Sequence, residues 1–129
     1  MRRSASVMFV IGLMLIAGAA SAGDWQKVGK ETVIFGNTEE TATVTAKDNS
    51  VSQFAFKISG DWVGLQQVTL NFADGSKQTI EDIPNVRPGL TSDAFSITDG
   101  PKKISSIDFS YKAVSSANLG RATVIFLGQ

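Results

Sequence analysis

Beyond Gly23 the chain alternates apolar and polar side chains, and no stretch sustains the 3.6-residue repeat of an amphipathic helix. Thr, Val, Ile and Phe recur at alternate positions, the composition of pleated, half-buried strands. Trp25 to Gly29 reads as a short opening strand and Thr32 to Phe35 as a second, stopped by Gly36-Asn37. Thr41 to Ala46 is a Thr-rich strand with Val44 inward, closed by Asp48-Asn49-Ser50. Val51 to Ser59 puts Phe54, Phe56 and Ile58 on one face and Lys57 and Ser59 on the other. Gly60-Asp61 breaks the pattern. Trp62 to Phe72 resumes it with Val68, Leu70 and Phe72 inward and Gln67, Thr69 and Asn71 outward.

Asp74-Gly75 between alternating runs predicts a tight hairpin, because Gly accepts the positive φ that such a turn demands. The return strand runs from about Lys77 to Ile83. Pro84 to Gly89 carries two prolines, which cannot donate to a ladder, so this segment lies outside the sheets or on an edge. Ala94 to Thr98 places Phe95 and Ile97 inward, and Asp99-Gly100-Pro101 is a turn. In Ile104 to Lys112, Ile107, Phe109 and Tyr111 share a face while Ile104 is out of phase, which predicts a bulge near Ser105-Ser106. Ala113 to Asn118 is a polar loop. Ala122 to Leu127 is apolar on both faces, including Val124 and Phe126, as for a strand at the centre of a sheet. Eight or nine short strands without helical crossovers predict an all-β fold, a single antiparallel sandwich, with a small barrel as the alternative.

The first 22 residues have a different pattern. Arg2-Arg3 precede a 14-residue apolar stretch, Val7 to Ala20, and Ala20-Ser21-Ala22 offers a small-residue cleavage site. The stretch is shorter than the roughly 20 residues of a membrane span. The expected organisation is therefore a signal peptide over residues 1–22 and one β-sandwich domain over 23–129, periplasmic or secreted, with no stable membrane anchor after processing.

Cleavage removes Arg2 and Arg3, leaving ten basic against twelve acidic side chains, a balance of −2. That gives no basic face for nucleic acid. The chain has no cysteine and no histidine. Their absence removes Ser-His-Asp and Cys-His catalysis, zinc sites built on those ligands, disulfides and lipidation at the cleavage site. No metal or cofactor motif stands out, and no catalytic residue is assigned.

Three side chains are candidate ligand contacts. Trp25 and Trp62 either stack on sugar rings or cap the ends of the core. Arg87, held between Pro84 and Pro88, is presented outward by a stiff segment. Arg87, Lys102, Lys103 and Arg121 would together form an anion-binding patch. A glycosidase would need two facing carboxylates about 5–10 Å apart, yet Asp74 and Asp99 each precede a turn glycine, where Asp serves the backbone.

Taken together, the Trp25-x-x-x-Gly29 entry, Asp74-Gly75 with Gln78, Arg87-Pro88-Gly89, Phe95-Ser96-Ile97, Ile104-x-x-Ile107-x-Phe109-x-Tyr111 and Gly120-Arg121-Ala122-Thr123-Val124 before Leu127-Gly128 form a whole-domain pattern. It resembles a family of short exported bacterial all-β proteins catalogued as a domain of unknown function. The resemblance implies an exported β fold and no established activity, and this chain lacks the cysteines of some such proteins. The expected function is a non-enzymatic binding module of the cell envelope, with an envelope protein or a glycan as partner. The alternatives are a carboxylate-dependent glycan hydrolase and a structural component of a surface assembly.

Overall fold

The computed structural model describes residues 25–47, 50–114 and 120–129. The leader, Asp48-Asn49 and most of the loop after Val114 lie outside these residues. The described chain is all β, in two packed antiparallel sheets that do not close into a barrel. Nine strands follow in order: β1 (Gln26–Phe35), β2 (Glu40–Thr45), β3 (Ser50–Val51), β4 (Gln53–Gly60), β5 (Val63–Phe72), β6 (Lys77–Ile80), β7 (Phe95–Ser96), β8 (Lys102–Ala113) and β9 (Gly120–Gly128). One sheet is ordered β1-β9-β4-β7. The other is β2-β8-β5-β6, with β3 also paired to β8.

The inward faces are those the alternation predicts. Phe54, Phe56, Ile58, Leu70, Ile107, Val124 and Phe126 are all sealed from solvent. Phe126 is the joint between the sheets: it stacks on Phe54 of its own sheet (5.7 Å between ring centroids) and meets Phe109 of the other edge-on at 5.2 Å. Phe109 in turn lies 5.6 Å from Tyr111.

Several expectations change in the folded chain. The two opening strands are one, because a bulge at Val28 between the Lys27–Leu127 and Gly29–Phe126 pairs keeps Val28, Val33 and Phe35 all inward. The run from Val51 to Ser59 is split at Ser52. Ser50 and Val51 pair with β8, whereas Gln53 onward pairs with β9, so the chain changes sheets there. The strand after the Asp74-Gly75 hairpin stops at Ile80, not Ile83, because Asp82 adopts φ 55° and turns the chain out of the ladder. β9 is central, but only one face is core: Ala122, Val124 and Phe126 are buried, while Ile125 and Leu127 are half-buried. Phe95 is also only half-buried.

The hairpin and the bulge are where the pattern places them. Gly75 has φ 91°, its N–H donates to the Phe72 carbonyl at 3.0 Å, and the Phe72 N–H donates to the Ser76 carbonyl at 2.9 Å. In β8 the pairs Asn71–Ser106 and Phe72–Ile104 leave Ser105 as the extra residue. Gln78 joins the two sheets at one side: its Nε2 donates to the Ser96 carbonyl at 3.0 Å, and its Oε1 accepts from the Thr98 N–H at 2.9 Å.

Candidate functional site

The segment between β6 and β7 is irregular yet pinned. Arg87-Pro88-Gly89-Leu90 forms a turn in which the Leu90 N–H donates to the Arg87 carbonyl at 3.1 Å. Pro at the second position and Gly89 at φ 90° in the third mark it as type II. The segment then follows the open edge of β4. Gly89 N–H donates to the Ile58 carbonyl (2.7 Å), Ser92 N–H donates to the Phe56 carbonyl (2.8 Å), and Ser92 Oγ accepts from the Phe56 N–H (2.9 Å). Phe95 pairs with Phe54 further along. The β4 edge, otherwise a row of open backbone groups, is thereby covered.

This attachment brings two of the three candidate residues together. The Arg87 guanidinium carbon sits 5.0 Å from the centroid of the Trp62 ring, a cation–π contact of about 0.5–1 kcal/mol at an exposed position. Trp62 is half-buried, and its indole N–H is buried without a partner among the described residues. Arg87 is exposed, and its side-chain N–H groups find no partner among the described residues. Trp25 is elsewhere. It precedes the Gln26–Gly128 pair, whereas Trp62 follows the Gly60–Ala122 pair, so six residues of β9 separate them. At about 3.3 Å per residue that is roughly 20 Å. The four cations do not form one patch either. Lys102 opens β8 beside the hairpin, where its Nζ lies 3.8 Å from Asp74, 3.0 Å from Ser76 Oγ and 5.0 Å from the Phe72 ring. Trp62 borders the other end of β8, next to the Val63–Ala113 pair.

Beside Arg87 the segment encloses a cleft of about 510 Å³, lined on its apolar side by Ile83, Pro84, Val86, Leu90 and Phe95. Leu90 is 58% exposed, one of two large apolar side chains so open among the described residues. The sequence points to Arg87 but not to Leu90 or Phe95, which the alternation treats as loop and core. The Pro88-Gly89 pair was the available signal, since it fixes a turn with Arg87 and Leu90 at its two ends.

A second cleft, about 310 Å³, lies on the outer face of the other sheet, lined by Ala42, Phe109 and the polar Thr41, Thr43, Gln67, Thr69, Asp108 and Ser110. Register aligns these side chains in rows across three strands: Thr41–Ser110–Gln67 and Thr43–Asp108–Thr69. Asp108 is the hub. Thr43 Oγ1 donates to its Oδ1 at 2.6 Å, and Asn71 Nδ2 donates to its Oδ2 at 3.0 Å.

The profile of a domain of unknown function, DUF2541, matches residues 6–128. This chain belongs to the DUF2541 family. No curated protein and no solved structure gives a significant match. DUF2541 membership carries no activity with it, so the chemistry rests on the two clefts. Among their described lining residues each has a single carboxylate, Asp93 in one and Asp108 in the other, where a glycosidase uses a facing pair. No group of three or more acids stands close enough to hold a metal ion among the described residues of this DUF2541 domain.

The hydrogen bonds from Thr43 and then Asn71 hold the Asp108 carboxyl below its ordinary value. Because the folded value is the lower one, the stabilisation is present above about pH 4 and is lost as pH falls through the folded value. Urea midpoints of the wild type should fall on acidification below about pH 4. Asp108→Asn should weaken the protein at neutral pH and flatten that acid limb. Asp74, also lowered through its hydrogen bonds from Ser76, retains a residual slope. Parallel acid limbs in the two proteins would contradict this role for Asp108.

Proposed function

We propose that this DUF2541 chain is a bacterial protein exported by its leader, cleaved after Ala22, and acting as a non-enzymatic binding module of the cell envelope. It engages a protein partner through the segment between β6 and β7. The observation that carries the reading is the 510 Å³ cleft beside an exposed Arg87 whose guanidinium has no hydrogen-bond or ion-pair partner among the described residues. Cleft size falls within the range of about 300–1,000 Å³ usual for binding pockets. Its apolar lining suits a hydrophobic side chain, and exposed Leu90 extends that apolar surface to the rim. Arg87 lies over Trp62, which orients the guanidinium and leaves N–H donors for a carboxylate of the partner. The same contact covers a face of Trp62 that a sugar ring would need for stacking. The partner segment therefore presents an apolar side chain next to an acidic one.

The test is expression of the full chain in a bacterium with a photo-crosslinking residue at position 90 or, as control, at position 27. The expected product is a protein of residues 23–129 in the envelope fraction. A discrete adduct should form from position 90, be lost on Arg87→Glu, and not form from position 27. An uncleaved chain in the cytoplasm, or equal adducts from both positions, would refute the reading.

A further inference from the structure

We infer that the outer face of the β2–β8–β5 sheet holds a second binding site, for a neutral sugar, in the cleft floored by Ser110. The observations converge on Ser110. Ser110 is 5% exposed, yet its hydroxyl has no hydrogen-bond partner among the described residues. A buried polar group left unpaired is costly, and such groups are otherwise satisfied in folded proteins. It lies in the cleft wall between Thr41 and Gln67, which flank it by register. Turning Ser110 about χ1, a move between staggered wells, brings the hydroxyl to a ligand in the cleft.

The surrounding groups specify the ligand. Thr41 and Ser110 are hydroxyls that both donate and accept, Gln67 is an amide that does both, Thr43 gives its proton to Asp108 and so accepts, Thr69 shares its hydroxyl with Thr79 at 3.2 Å, and Asp108 accepts. Two carboxylate bonds are already taken by Thr43 and Asn71, which fixes the orientation of the remaining lone pairs. Vicinal hydroxyls of a sugar, each a donor and an acceptor, match this set. Anionic sugars meet the Asp108 charge, so the site selects neutral ones. Large apolar side chains are absent from these rows, because Ala42 and Phe109 belong to the alternating inward rows. Recognition therefore comes through hydrogen bonds, with threonine methyls as the apolar contribution. A volume of about 310 Å³ is at the lower end for a ligand pocket and suits one sugar unit.

The partner cleft is separate, built from the irregular segment between β6 and β7 along the edge of β4. Titration of the isotope-labelled protein with glucose, N-acetylglucosamine, glucosamine and glucuronate, read by amide chemical shifts, tests it. Either neutral sugar should give saturable shifts at Thr43, Thr69 and Ser110, with glucuronate much weaker, and Arg87→Glu should leave them unchanged. Ser110→Ala should weaken binding roughly three- to tenfold, the loss of one hydrogen bond, while unfolding in urea at the same or a higher midpoint. Affinity loss without stability loss is what a merely structural serine would not show. Absence of saturable shifts, equal affinity of Ser110→Ala, or binding confined to glucosamine would overturn the inference, the last by marking an ammonium site at Asp108.

Discussion

Phe126→Ala is expected to destabilise the domain by about 3–5 kcal/mol, the cost of deleting a large ring from a packed core. Its ring is fully buried toward the C-terminal end of β9, stacked on Phe54 and edge-on to Phe109 of the opposite sheet. Removal therefore opens a void between the sheets and breaks the aromatic contact that links them. Domains of this size are stable by about 5–15 kcal/mol in total, so the variant should be marginal at room temperature. Urea unfolding followed by tryptophan fluorescence checks this. Trp25 and Trp62 lie toward opposite ends of β9, so a coincident loss of both signals would report one cooperative unit. Ile125→Ala, on the half-buried outer side of the same strand, should cost far less. Similar losses for the two would mean that the inward and outward faces of β9 are assigned wrongly.

The second large effect is expected at Gly128. A β-carbon there would run into Val51 Cγ1 and lie 3.1 Å from Val28 Cγ1. Both valines are buried, and Val51 is the residue that seats the chain as it changes sheets at Ser52. Gly128→Ala should cost about 1–3 kcal/mol through overpacking. Val51→Ala alone should cost a comparable amount through lost burial, about 1.5–3 kcal/mol. Together the two changes should be less harmful than their sum, because the smaller residue 51 makes room for the new methyl. A coupling of about 0.5–3 kcal/mol in a double-mutant cycle is expected. Strict additivity would show that Val51 does not pack on Gly128.

Much of the architecture was legible in the chain because one face of nearly every strand is dry. Phe54, Phe56 and Ile58 announce their face, as do Val68, Leu70 and Phe72. The phase slip between Ile104 and Ile107 located the Ser105 bulge without any structure. Reading failed where a strand changed partners without changing pattern. Val51 and Phe54 are both apolar and buried, but only pairing reveals that they serve different sheets. The Val28 bulge was hidden because Gly29 looked like a terminator, whereas it pairs with Phe126 inside a continuous strand. Asp82 ended β6 through its backbone conformation, and an Asp at a strand end is weak evidence for that.

The sites were legible to a lesser degree. Arg87 stood out for its flanking prolines and Trp62 for its ring, but their contact depends on Gly89 reaching the Ile58 carbonyl, 31 positions earlier in the chain. Trp25, chosen for the same chemistry as Trp62, lies near the opposite end of the sandwich. Thr69 reads only as an outward-facing strand position, and local spacing sets neither Thr43 nor Asp108 apart. They become a cleft only when three strands come into register, and no local spacing encodes that.

The Arg87–Leu90 turn beside Trp62 is the proposed working surface. Amide-shift mapping of the labelled domain against the crosslinked partner, once purified, tests it in one experiment. Shifts should cluster at residues 62 and 85–95 and vanish in Arg87→Glu, with the Trp25 end silent. Shifts centred on Trp25 and Gln26, or undiminished in the Arg87 variant, would place the contact at the wrong end of the molecule and contradict the account.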